Sequence, residues 1–359
     1  MDATTLDATQ EGSRTRRKPA VPAAVKTVNL ALQGGGAHGA FAWGVLDRLL
    51  EDERITFEGV SATSAGAMNG TVLAYGLAEG GREGAKKALA SFWRRIAHVG
   101  MVSPLQPSWW DRVTHNHHLD WSPAFMWFDM LSRLLSPYQL NPFNQNPLRD
   151  VLVQSVDFDR LRQRSTVKLF LSATNVRTGK VKVFCNDEIT PDAVMASACL
   201  PFMFQAVEID GENYWDGGYM GNPAIFPLIY HCETPDVVIV HINPLERPDL
   251  PTTATEILNR INEISFNSSL MREMRAIEFV TRLIDEGKIR SGDLKRVNVH
   301  SIIADEVMQG LSAMSKLNAD WEFLTHLRDD GREHADRWLT QSFDQIGVRS
   351  SADLRAVYL

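Results

Sequence analysis

Gly34-Gly35-Gly36-Ala37-His38-Gly39 follows directly on an apolar, strand-like run, Val28-Asn29-Leu30-Ala31-Leu32. Glycines at the C-terminal end of a strand let the backbone turn sharply and aim several N–H groups at one point, where negative charge can sit. The residues after the turn are apolar at helical spacing: Phe41, Val45, Leu46, Leu49 and Leu50. A strand, a glycine turn and a helix N-terminus together make an anion-binding arrangement. The rest of the sequence has to decide between two anions, a nucleotide phosphate and the oxyanion of an attacked ester.

A chain of 359 residues, 44% of them hydrophobic, can bury a sizeable core, as one large α/β domain or as two smaller ones. The net charge of −7 excludes a general nucleic-acid binder, because no overall positive field would collect phosphates. The basic cluster Arg14-Thr15-Arg16-Arg17-Lys18 belongs to a polar leader, residues 1–25, expected to be disordered and solvated. Cys185, Cys199 and Cys232 are few, odd in number and unpatterned, which fits a reducing compartment and supplies no zinc spacing. The N-terminus has no basic-then-apolar secretory signal, and no uncharged apolar run reaches transmembrane length. A cytoplasmic protein is expected.

After the leader, strand-like and helical patterns alternate. Strands are expected at Val28–Gln33, Phe57–Thr63, Thr166–Asn175, Pro235–Asn243 and Arg296–Ala304. Helices are expected at about 37–53, 66–78, 83–98, 191–199 and 254–286, and from Ser312 to about Phe343 with a break at Gly331. This alternation predicts an α/β fold with a mostly parallel central sheet and helices on both faces. Val176–Phe184 and Val207–Trp215 read as hairpin segments, turning at Thr178-Gly179 and Asp210-Gly211. A longer interruption at about 99–147 holds Trp109, Trp110, Trp121 and Trp127, the composition of a lipid-facing cap or of an insertion packed on the core. The expected organisation is a catalytic domain over 26–250 and a mainly helical extension, 251–359, packed on it.

Two further pieces fit the oxyanion reading. In Ser61-Ala62-Thr63-Ser64-Ala65-Gly66, Ser64 stands between a strand and a helix with small neighbours on either side. That is the steric demand of a nucleophile elbow, whose usual pattern is G-x-S-x-G. Ser64 as a plain helix N-cap is the bland alternative. In Tyr214-Trp215-Asp216-Gly217-Gly218-Tyr219, two glycines follow the carboxylate, so its surroundings lack side chains and another group can approach closely. An ordinary Asp-Gly turn is the alternative there.

The glycine run, the serine elbow and Asp216-Gly217-Gly218, in that order, resemble the patatin-like phospholipase family. The stretch Ala196-Ser197-Ala198-Cys199-Leu200-Pro201-Phe202-Met203-Phe204 is similar to the family's A-S-x-x-x-P-x-x-F block. The similarity covers roughly residues 27–245. It implies a three-layer patatin-like fold and a lipid acyl hydrolase with a Ser-Asp dyad, Ser64 as nucleophile and Asp216 as general base. It further implies an oxyanion hole from Gly34, Gly35, Gly36 and Ala37, with Gly39, Ala62, Gly66, Gly217 and Gly218 supporting the motifs. Burial against walls such as Trp215 and Phe202 would raise the basicity of Asp216. The sequence departs from the family pattern twice. Ala62 takes a glycine's place, and His38 stands where the family often has Arg or Lys, which leaves open whether a fixed positive charge lies beside the oxyanion hole.

Other chemistries remain as rivals. A Ser-His-Asp esterase or thioesterase would use His241, at the end of an expected strand. Gly34-x-Gly36-x-x-Gly39 matches a dinucleotide fingerprint, but the next strand ends in Thr63-Ser64 where a ribose-binding acid would be needed. A third rival is a catalytically silent lipid-binding protein. His115, His117 and His118 with Asp111 and Asp120 have no fixed ligand spacing, so neither a metal nor a cofactor is expected. The expected partner is a lipid ester, and the tryptophan density of the aromatic region suggests peripheral contact with a membrane or lipid surface. Head group, acyl length and oligomeric state are left open by the sequence.

Overall fold

The structure is a computed structural model that describes residues 24–101, 134–290, 292–311 and 313–359. β1 (Lys26–Leu32) is fully buried from Val28 onward. An unbroken buried run of this kind belongs in the middle of a parallel sheet covered on both faces. β1 pairs in parallel with β2 (Ile55–Ala62) on one side and with β7 (Asp236–His241) on the other. β3 (Lys168–Asn175) and β8 (Asn298–Ile303) extend the parallel sheet outward. β4 (Val181–Cys185) returns antiparallel on β3, and the hairpin of β5 (Val207–Ile209) and β6 (Glu212–Asp216) closes that edge. The order of the eight-stranded sheet is β5-β6-β3-β2-β1-β7-β8, with β4 off the path.

Strand alternation sends neighbouring residues to opposite faces. Val28, Leu30 and Leu32 face a core shared with α1 (Gly39–Glu51), α2 (Ala65–Met101) and the helix Trp321–Ser342. Ala31, Val237 and Ile239 face a smaller core with the helices Phe226–His231, Ala254–Asp285 and Leu354–Tyr358. The fold is therefore α/β with a mainly parallel central sheet flanked by helices. α2 breaks at Gly80 and Gly81, where the pattern predicts the gap between two helices.

The expected break at Gly331 does not occur. Trp321–Ser342 runs through it as one helix. A Cβ on Gly331 would collide with the carbonyl of Phe41, and one on Gly44 with the carbonyl of Arg328. These glycines let α1 and Trp321–Ser342 cross at close range, and that packing outweighs glycine's weak local preference against helix.

Of the insertion expected at 99–147, residues 102–133 lie outside the described residues, with the four tryptophans and the histidine cluster. The expected leader also lies outside them, as far as residue 23. No described helix is long and apolar enough to cross a membrane.

Candidate active site

The register of the sheet brings together two residues far apart in sequence. Ala62 lies opposite Leu171 of β3, and Asp216 of β6 lies opposite Ala173. Ser64, two residues past Ala62, therefore stands at the level of Ala173, with Asp216 on the far side of β3. Ala173 points into the same core as Ala62. Its single methyl leaves room for the two longer side chains to converge above it.

Ser64 is one of the described non-glycine residues with positive φ, at 56°. An L-residue holds that conformation only when its surroundings over-determine it. Its N–H donates to the Ser197 hydroxyl at 3.0 Å, and its carbonyl accepts from Met68 at 3.1 Å in the first turn of α2. Thr63 Oγ1 donates to the Gly221 carbonyl at 2.6 Å. A Cβ on Gly66 would strike the carbonyls of Leu32 and Gln33, so the elbow lies directly against the end of β1. Ala62 is fully buried in the main core, so the extra methyl is accommodated there as packing. Ser61, the neighbouring hydroxyl, is buried and donates to the Ala224 carbonyl.

Asp216 is fully buried at the end of β6. Its N–H donates to the Cys199 carbonyl at 2.8 Å, and its own carbonyl accepts from Thr174 Oγ1 at 2.8 Å. Oδ1 accepts the Gly218 N–H at 2.7 Å, whereas Oδ2 has no hydrogen-bond partner among the described residues. The Ser64 hydroxyl lies close enough to favour the charged carboxylate. Burial pushes the Asp216 pKa up to about 6, against the opposing pull of the Gly218 N–H, the Ser64 hydroxyl and the Lys316 charge.

The expected apolar walls are different. Phe202 is 70% exposed, and Trp215, adjacent in the strand, points to the other side from Asp216. Cys199 and Tyr219 are ionisable neighbours besides Lys316, and Phe266 of Ala254–Asp285 closes over Gly218, at 2.8 Å from where a Cβ there would sit. Gly217 presses against the Ser172 carbonyl.

The glycine loop lies over the elbow. A Cβ on Gly34 would sit 2.5 Å from the Ser64 Cβ and 3.3 Å from its Oγ, so only glycine permits this approach. Gly36 has φ of 59° and packs against the Lys316 carbonyl, while Gly39 packs against Ala65. Gly34 is not available as an oxyanion donor. Its N–H donates to Asn222 Oδ1 at 2.7 Å, and its carbonyl accepts from Asn243 Nδ2 at 2.6 Å. No described residue accepts from the N–H of Gly35, Gly36 or Ala37, which leaves these three open.

His38 is buried and hydrogen-bonds Ser315 at 2.7 Å. Burial, then the charges of Lys316 and Arg247, hold its pKa well below the usual histidine value, so it is neutral. His241 points into the smaller core, where its Nε2 pairs with the Tyr358 hydroxyl at 2.6 Å, and burial lowers its pKa to about 3.

A Ser–His–Asp chain does exist elsewhere. His300 bonds Asp236 Oδ1 at 3.0 Å and the Ser351 hydroxyl at 2.9 Å. The N–H groups of Ser351 and Ala352 are both engaged by the Val299 carbonyl, so they cannot hold an oxyanion. This chain fastens the C-terminal segment to β7 and β8.

The sequence reading missed the polar frame behind the loop. Gln33 Oε1 accepts the N–H groups of Ile242 and Asn243, and its Nε2 reaches the Asn222 carbonyl and Asn267 Oδ1. It also missed Lys316, whose ammonium donates to Asn243 Oδ1 at 2.9 Å. These residues carry no local motif. Among the described residues, no group of three or more His, Cys, Asp or Glu side chains is arranged to hold a metal ion.

A model of the patatin-like phospholipase family matches residues 30–229. Among solved structures, VipD from Legionella pneumophila is similar over 89% of this chain and 67% of its own, at 16% identity and a TM-score of 0.42. The ExoU–SpcU heterodimer from the type III secretion system of Pseudomonas aeruginosa is similar over 90% of this chain, at 15% identity and a TM-score of 0.34. The chain spans only 53% of that second structure's matched chain. No curated protein sequence matches it.

Proposed function

The chain belongs to the patatin-like phospholipase family, a family of lipid ester hydrolases, and on that premise we propose that it cleaves carboxylic esters of lipids through a Ser64 acyl-enzyme with Asp216 as general base. One observation carries the reading. A serine in strained left-handed conformation is pressed under a glycine loop, beside a fully buried carboxylate that keeps one oxygen unengaged.

Asp216 Oδ2 takes the proton of the Ser64 hydroxyl as Oγ attacks the ester carbonyl carbon. The carbonyl π electrons move to oxygen, and the N–H groups of Gly35, Gly36 and Ala37 receive the resulting oxyanion. Each such donor is typically worth ~10²–10³ in rate. As the tetrahedral species collapses, the C–O bond to the alcohol portion breaks, and Asp216 returns its proton to that oxygen. Water then attacks the acyl-enzyme, Asp216 takes its proton, and the fatty acid leaves with the Ser64 hydroxyl restored. A carboxylate with pKa near 6 is a stronger base than an ordinary one and is still mostly ionised at neutral pH. The engagement of His241 by Tyr358 on the other sheet face favours this dyad over a histidine relay.

The test is fatty-acid release from a panel of phospholipids, lysophospholipids and triacylglycerols by wild type and by Ser64→Ala. Release by wild type and loss in the variant supports the reading, and the preferred lipid names the subtype. Binding of lipid without turnover in the wild type makes the protein a lipid-binding module instead.

A further inference from the structure

The short turn Ala313–Leu317 reaches the site from the C-terminal part of the chain, beyond residues 30–229 of the family match. Its Lys316 meets the glycine loop once directly and once through Asn243. The Lys316 carbonyl lies where a Cβ of Gly36 would be, and its ammonium holds Asn243, whose amide in turn holds the Gly34 carbonyl. Asn243 is the one described residue that accepts a hydrogen bond from this ammonium, which leaves the rest of its charge to act on the surroundings. The loop's own ionisable side chain, His38, is buried against the same turn through Ser315.

We propose that Lys316 is a positioning and electrostatic residue of the acyl-transfer site, fixing the glycine loop through Asn243 and placing a positive charge beside the loop's open amides. This rests on the Ser64–Asp216 reading above. A cation there favours both anions of the reaction, the ionised Asp216 before attack and the oxyanion after it. Lys316 lowers the Asp216 pKa, in competition with burial. The other groups facing Asp216 are the Ser64 hydroxyl, the Gly218 N–H, Cys199 and Tyr219. Burial lowers the pKa of Lys316 itself. Glu263 and Asp216 raise it, Arg247 lowers it, and His38 stands beside it neutral. Glu263 is in turn clamped by Arg247 at 2.7 Å and Arg260 at 3.1 Å, so it only partly offsets the cations around it.

The sign of the expected pH effect follows from the charge. Removing a cation near Asp216 disfavours its ionised form, so the acid limb of kcat/KM moves to higher pH. The experiment measures kcat/KM on a soluble p-nitrophenyl ester from roughly pH 4.5 to 9, with the melting temperature, for wild type and Lys316→Arg, Lys316→Gln and Lys316→Met. Glutamine keeps a donor for Asn243 without the charge, whereas methionine removes both. Glutamine and methionine are each expected to lower kcat/KM by about 10–100-fold, below the loss of a direct oxyanion donor, and to move the limb upward. Arginine is expected to restore the limb. A folded glutamine variant with an unmoved limb overturns the proposal, whatever its rate, because a purely structural lysine would not shift it. Ser64→Ala is assayed alongside. If it is as active as wild type, the dyad reading itself has failed; if it is inactive while the glutamine limb is unmoved, only the role of Lys316 has.

Discussion

Replacing Asp216 by asparagine should abolish hydrolysis and also stabilise the fold at neutral pH. Asparagine keeps the shape, its Oδ1 can still accept the Gly218 N–H, and its amide can donate to the Ser64 hydroxyl in place of the unengaged Oδ2. It removes a fully buried charge that the native state holds with a pKa of about 6 in place of 3.8. At about 1.4 kcal/mol per pKa unit, the ionised carboxylate costs the native state about 3 kcal/mol. The folded protein binds this proton more tightly than the unfolded chain does. The penalty is therefore complete above about pH 6, shrinks as pH falls, and vanishes below about pH 4. With an unfolding entropy of about 2 cal/mol/K per residue over 359 residues, 3 kcal/mol corresponds to about 4 °C in Tm. Thermal unfolding followed by circular dichroism at a series of pH values reads this directly. An Asp216→Asn protein that melts at or below wild type at pH 8, or whose advantage does not shrink towards pH 4.5, refutes the assignment of a charged, desolvated carboxylate to this site.

Three other outcomes follow from particular contacts. Gly36→Ala must hold φ of 59° with its Cβ in the Lys316 carbonyl, so it should displace the loop and lower kcat/KM by about 10²–10³; activity within threefold of wild type contradicts the loop geometry. Tyr358→Phe leaves His241 buried without its hydroxyl partner and should lower stability by about 1–3 kcal/mol with kcat/KM unchanged. A large drop in kcat/KM at preserved stability would revive the histidine relay. Ser197→Ala removes the acceptor for the strained Ser64 N–H and should lower both stability, by about 1–3 kcal/mol, and turnover. An unchanged rate shows that the elbow is held without Ser197.

The sequence made the strands, the elbow and the carboxylate legible because each has a local steric demand. A run at Val28–Leu32 that is apolar apart from Asn29 fits a central parallel strand. Gly34 and Gly66 fall where a backbone approach admits no side chain, and Asp216 is followed by the glycines whose N–H and space it uses. Gly331 misled for the complementary reason: a local propensity was overruled by a helix crossing that the sequence does not display. The polar frame was illegible for a different cause. Gln33, Asn222 and Asn243 act on backbone groups that only the folded sheet brings near, so no spacing announces them. Gly34 illustrates the limit, since its motif suggests an oxyanion donor while Asn222, far along the chain, takes that N–H. Lys316 is the same case at longer range.

The most direct measurement is the rate at which a fluorophosphonate labels the folded protein, with the modified peptide identified by mass spectrometry across pH. The dyad predicts one adduct, on Ser64, formed faster as pH rises through about 6 because Asp216 must be ionised to accept the proton, and lost in Asp216→Asn. An adduct on another serine such as Ser351, or labelling of Ser64 that neither follows that titration nor needs the carboxylate, would contradict it.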